Sequence, residues 1–127
     1  TLQAAVARLE TPACAAILDE LRDASGRTLR EGLAAESLTV SQHAARLFFY
    51  DGSHNDTCHR REPVAYTKPG SRTVLLCQKR FMSLSYSQPR WAEATLIHEI
   101  LHTMGLGENP PTSAEITHHV IARCHQG

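Results

Sequence analysis

The chain of 127 residues carries 13 basic and 13 acidic side chains, a formal net charge of zero with histidine neutral. That balance argues against binding to nucleic acid or to an anionic membrane surface, both of which draw on a basic excess. Hydrophobic residues make up 42% and charged residues 20%, the mixture of a folded domain and not of a disordered tract. No apolar run approaches the roughly 18 residues of a membrane span. The opening TLQAAVARLE lacks a charged stretch followed by an apolar one, so any signal peptide is expected to have been removed already. With no internal repeat or low-complexity tract, residues 1–127 read as a single domain.

In chain order, Thr11-Pro12 reads as an N-cap followed by proline at the first helical position. Cys14, Ile17, Leu18 and Leu21 recur from there at helical spacing, which predicts a helix running to Ser25-Gly26. Thr28 to Ala45 is ambiguous, with a strand near Leu29–Leu33 and a short helical turn around Ser41–Ala45 as the expected elements. Leu47 to Tyr50, closed by Asp51-Gly52, reads as a strand. Pro63 to Thr67 and Arg72 to Cys77 form the two arms of an expected hairpin. Their connection, Lys68-Pro69-Gly70-Ser71, has the Pro-Gly centre of a type II turn. After a loop ending at Gln88-Pro89, Arg90 to Met104 predicts a strong helix with Trp91 as a core anchor, and Gly105 is placed to end it. A Gly/Pro-rich loop then leads to a last helix from about Thr112 to Arg123. The plan is α+β, with strands in the middle of the chain.

Four cysteines, Cys14, Cys58, Cys77 and Cys124, are spread along this small domain, an even count that suits two disulfides and an oxidising, secreted or periplasmic compartment. Of the three possible pairings, Cys58–Cys77 would staple the hairpin region and Cys14–Cys124 would tie the two ends together. A zinc site built from these cysteines is a poor alternative, because no C-x2-C pair exists.

The segment HEILHTMGLGEN, residues 98–109, carries the chemistry. His98 and His102 are one helical turn apart and project from one face, so both imidazoles can reach one zinc ion. Glu99 is rotated about 100° around the helix and can instead reach a water held by that metal, as a general base. Ala94, Ile97, Leu101 and Met104 form an apolar stripe for the core, widened by Ile100. Thr95, His98, His102 and Gly105 form a second stripe.

The run HEILHTMGLGE resembles the active-site helix and turn of metzincin zinc peptidases, H-E-x-x-H-x-x-G-x-x-H/D, with His98, Glu99, His102 and Gly105 on the family's positions. In that family the glycine turns the chain so that a third ligand returns to the zinc. Glu108 occupies that position here, where histidine or aspartate is usual, and no methionine follows Met104 to form the family's methionine turn. Glu108 is the lead third ligand, with Glu115 and His118 as alternatives. Glu115 also completes a capping box with Thr112.

The resemblance implies a zincin-like α+β domain with a small mixed sheet, a long metal-binding helix and a C-terminal helix. It further implies a secreted zinc endopeptidase acting on peptide or protein substrates, with Glu99 as general base. Arg72–Cys77 is the expected substrate-binding edge strand. Tyr66 and Tyr86 are candidate oxyanion donors, for which packing is the competing role. His43, His54, His59, His118, His119 and His125 read as surface or supporting residues and not as ligands. Two further readings are a non-catalytic, disulfide-bonded binding module with a structural, four-ligand zinc, and a zinc hydrolase acting on a bond other than a peptide.

Overall fold

The computed structural model describes residues 1–60 and 63–125. Helix α1 (Leu2–Leu9) lies outside the expected elements, although Leu2, Ala5 and Leu9 recur at helical spacing and the last two are fully buried. The helix expected from Thr11 to Gly26 is shorter and broken. It forms α2 (Pro12–Ala15) and α3 (Ile17–Glu20), and the backbone is extended at Leu21. Asp23 is the reason for the early stop. Its carboxylate accepts hydrogen bonds from Ser25 and Arg27, which fixes residues 23–27 as a turn.

The strand expected at Leu29–Leu33 is instead helix α4 (Leu29–Ala35). Thr28 and Glu31 form a reciprocal capping box, and Leu29 and Leu33 are both buried on one helical face. The short helix near Ser41 is α5 (Val40–Ala45), which begins with a capping box of Thr39 and Gln42.

Strands β1 (Phe48–Asp51), β2 (Ala65–Tyr66) and β3 (Thr73–Leu76) form a small mixed sheet in the order β1-β3-β2, with the short helix α6 (Asp56–His59) between β1 and β2. β2 and β3 pair antiparallel as the expected hairpin, and β1 pairs parallel to β3. The Arg72–Cys77 segment is therefore the middle of the sheet and not its edge. The apolar Leu47–Tyr50 run supplies a second partner for its backbone, which leaves β2 with the open edge on that side. The hairpin turn is as expected: Gly70 has a φ of +77°, and Ser71 N–H donates to the Lys68 carbonyl at 3.0 Å.

Residues 78–87, expected as loop, form α7 (Gln78–Ser87), which buries Phe81. Helices α8 (Pro89–Thr103) and α9 (Ser113–Cys124) follow as expected. α8 is the central helix and packs against α1, α7 and α9. Ala94, Ile97, Ile100 and Leu101 are fully buried, and each buried Ile or Leu stabilises by about 1.5–3 kcal/mol relative to exposure. Trp91 is not a core anchor. It is 41% exposed on the first turn of α8, and the small Ala92 fills the core position instead.

Both expected disulfides are present, Cys14–Cys124 and Cys58–Cys77. No helix among the described residues is long and apolar enough to cross a membrane.

Candidate metal centre

Near its C-terminus α8 is buried on every side from Leu96 to Thr103, polar residues included. His98, Glu99 and His102 are only 6%, 6% and 4% exposed, so their polar atoms meet solvent only through the cleft in front of them. The helical repeat sets His98 Nε2 and His102 Nε2 3.1 Å apart. Two nitrogens sharing a tetrahedral zinc at about 2.0–2.1 Å lie about 3.3 Å apart, so the backbone alone presets the pair near ligand spacing. Donor atoms of His98, Glu99 and His102 lie within 4.8 Å of one another, and the group could hold a metal ion.

Gly105 ends the helix with a φ of +113°, and the next turn brings Glu108 back over the imidazoles. Glu108 Oε1 lies 3.4 Å from His102 Nε2 and 3.9 Å from His98 Nε2. Two of the three edges, 3.1 and 3.4 Å, are near those of a coordination tetrahedron, and the third, from Glu108 Oε1 to His98 Nε2, is longer at 3.9 Å. This N2O set of two imidazoles and a carboxylate is chemistry that suits a borderline divalent cation.

Each imidazole is held from behind. His102 Nδ1 donates to the Leu106 carbonyl at 2.7 Å, and His98 Nδ1 lies 2.9 Å from Thr117 Oγ1 of α9. The His102 carbonyl in turn accepts from Gly105 N–H at 2.9 Å and from Gly70 N–H of the hairpin turn at 2.8 Å. The sheet is thereby fastened to the C-terminal end of α8.

The electrostatics follow from burial. Burial first, and the neighbouring His102 second, hold His98 down to about 4, so its imidazole is neutral at pH 7. Burial pushes the Glu99 carboxyl up to about 8, with the charge of Glu108 adding to the rise. The site opens to a cleft of about 490 Å³, lined by Pro63 to Thr67 of the hairpin and by Ser113 and Thr117 of α9.

Compared with known proteins, the chain matches no family model, no curated protein and no solved structure. Its residues therefore carry the whole functional argument.

Of the sequence-level candidates, His98, Glu99, His102 and Glu108 converge. Glu115 does not. Its carboxylate accepts from Thr112 N–H at 3.0 Å in the capping box that starts α9. His118 is exposed on the same helix and does not line the cleft. Tyr86 is 93% exposed. Tyr66 lines the cleft, but its hydroxyl accepts from Asn55 at 2.8 Å and lies close to Gly52, across the sheet. That is a packing role with one hydrogen bond.

His43 differs from the surface role expected of it. It is buried, with Nε2 2.9 Å from Thr103 Oγ1 on the far side of α8. Thr117, the Leu106 carbonyl and Gly70 were not legible as site residues. Thr117 and Gly70 lie far from the histidines in sequence, and the Leu106 carbonyl, four residues from His102, is a backbone group that carries no signature in residue type.

Proposed function

We propose that this chain is a zinc-dependent endopeptidase of zincin type, secreted or periplasmic, with zinc held by His98, His102 and Glu108. The observation that carries the reading is the buried Nε2 pair 3.1 Å apart, capped by Glu108 Oε1 at 3.4 Å, with Glu99 beside it and a cleft in front. A structural zinc has four protein ligands, whereas these three donors leave their fourth side toward the cleft.

When bound, zinc supplies Lewis acidity that lowers the pKa of a water it holds toward about 7. The positive charge of a bound zinc would favour the ionised form of Glu99, which burial alone disfavours. Glu99 would then serve as general base toward the attacking water and as proton donor to the leaving amine. The Nδ1 partners of His98 and His102 hold both imidazoles oriented. Water is kept from the rear of the site by the buried apolar face of α8. The open edge of β2, and not the Arg72–Cys77 strand, is where an extended peptide would add by backbone hydrogen bonding. The two disulfides support an oxidising compartment.

The test is metal content by elemental analysis together with cleavage of a peptide library, for wild type, His102→Ala and Glu99→Ala. Wild type and Glu99→Ala should each retain about one zinc per chain, and His102→Ala should lose it. Glu99→Ala should cut the cleavage rate by about 10²–10⁴-fold. Cleavage by Glu99→Ala at the wild-type rate would sink the mechanism. Stoichiometric zinc with no hydrolysis by wild type would instead make the chain a binding module with a structural metal.

A further inference from the structure

The two imidazoles of the site are backed by partners of different chemistry. His102 Nδ1 meets the Leu106 carbonyl at 2.7 Å. A carbonyl only accepts, so His102 Nδ1 carries a proton, and an imidazole with that single proton presents a lone pair at Nε2. His98 Nδ1 meets Thr117 Oγ1 at 2.9 Å. A hydroxyl donates as readily as it accepts, so this partner permits either tautomer of His98.

The two Nε2 atoms face each other at 3.1 Å in a buried site. At that separation two facing lone pairs repel, so either a proton or a cation lies between them. With a proton, His98 Nε2–H donates to His102 Nε2, and the Thr117 hydroxyl donates to His98 Nδ1. With a cation, both Nε2 lone pairs are ligands, the His98 proton sits on Nδ1, and Nδ1–H donates to Thr117 Oγ1. The proton count of His98 is the same in both arrangements. The proton changes nitrogen, and the hydroxyl rotates to match.

We propose that Thr117 is a positioning residue whose hydroxyl reverses its hydrogen bond with His98 when a divalent cation binds, keeping the histidine pair satisfied with and without the metal. The inference rests on the metal-binding part of the proposed function and is independent of the reaction catalysed. The same reasoning explains why the partner on α9 is a hydroxyl. A carboxylate at position 117 would hold the proton on Nδ1 permanently and leave the two Nε2 lone pairs opposed whenever the metal departs.

The test uses the full chain with ¹⁵N-labelled histidine, metal-free and zinc-loaded, and reads the tautomers from long-range ¹⁵N–¹H correlation spectra. His98 should carry its proton on Nε2 without metal and on Nδ1 with zinc, while His102 carries it on Nδ1 in both. Zinc affinity, measured by competition with a chelating dye, should weaken about 10–100-fold in Thr117→Val. Thr117→Ser, which keeps the hydroxyl, should restore it.

A single His98 tautomer in both states overturns the proposal, and so does wild-type zinc affinity in Thr117→Val. If Thr117→Val does not fold, the wild-type spectra and the serine variant decide alone. A protein that binds zinc, switches tautomer and cleaves no peptide overturns the peptidase reading and leaves this one standing. Cleavage without a tautomer change does the reverse. A wild-type protein that takes up no zinc overturns both.

Discussion

Gly105 combines a φ of +113° with a close approach, since a Cβ there would meet Asp23 Cβ at 3.0 Å. Leu106, its neighbour, forms a β-bridge with Asp23 and offers the carbonyl that orients His102. One backbone position therefore serves the fold and the site together. Gly105→Ala should lower the unfolding free energy by about 1–3 kcal/mol in chemical denaturation. It should also weaken zinc uptake, because Glu108 rides on the same turn. An unchanged denaturation midpoint would refute the strain argument. The His98, Glu99 and His102 cluster was legible in sequence because its geometry is that of a single helix, whose repeat is fixed by its hydrogen bonds. Glu108 was legible only through the resemblance to the metzincin pattern, in which the third ligand follows the glycine by three residues. Thr117 was not, because the contact exists only when α9 packs on α8.

At the scale of elements, the ends of helices decided most of what was read correctly and most of what was not. Thr112 and Glu115 mark the start of α9 in the sequence, and the structure has both capping bonds. The equivalent pair Thr28 and Glu31 is equally plain, and the run after it, Leu29-Arg30-Glu31-Gly32-Leu33, holds no β-branched residue to support the expected strand. A satisfied helix start outweighs a weak strand preference there. The two roles open to Glu115 are separable by mutation. Glu115→Ala should cost about 0.5–2 kcal/mol of stability and leave zinc binding unchanged, while Glu108→Ala should impair zinc binding with little effect on folding. Zinc loss in Glu115→Ala would reverse that assignment.

α9 is also tied to α3 through Glu20, which accepts from Arg123 Nη2 at 2.7 Å and pairs with His119 at 2.8 Å. The hydrogen bonds from Arg123 and then His119 lower the Glu20 carboxyl from 4.5 to about 2. A carboxyl lowered on folding contributes stability that is complete above about pH 4.5 and is lost as pH falls toward 2. Glu20→Gln should therefore flatten the decline in unfolding free energy across that window, and the difference from wild type isolates this residue from the other carboxylates. Parallel pH profiles for the two proteins would contradict it.

Across the whole molecule, α8 is clamped by the first and last helices of the described chain. Cys14–Cys124 closes a span of 110 residues and fixes α2 to the end of α9. Beside it, Glu93 of α8 accepts from Arg8 of α1 at 2.6 Å and meets the buried His125 at 2.8 Å. Replacing both Cys14 and Cys124 by alanine should lower stability by about 2–5 kcal/mol, read as a drop in thermal midpoint, because so long a loop leaves the unfolded chain much freer. Zinc affinity should fall as well, since α9 carries Thr117. A variant with wild-type thermal midpoint would show that packing alone holds the ends.

Features that depend on short-range geometry were legible in the chain alone. They are the histidine pair and its glutamate, the glycine that ends their helix, the hairpin with its Pro-Gly turn, and the α+β composition. The cysteine pairing was readable too, because only three pairings exist and one of them closes the expected hairpin. Tertiary structure decided the rest. It placed β3 in the middle of the sheet, because β1 from a distant segment satisfies its second edge. It turned Trp91 outward, buried His43 behind α8, and gave His98 a hydroxyl partner from another helix. These outcomes depend on which faces meet after collapse, and pairing between distant segments leaves no period or spacing in a single chain for the eye to find.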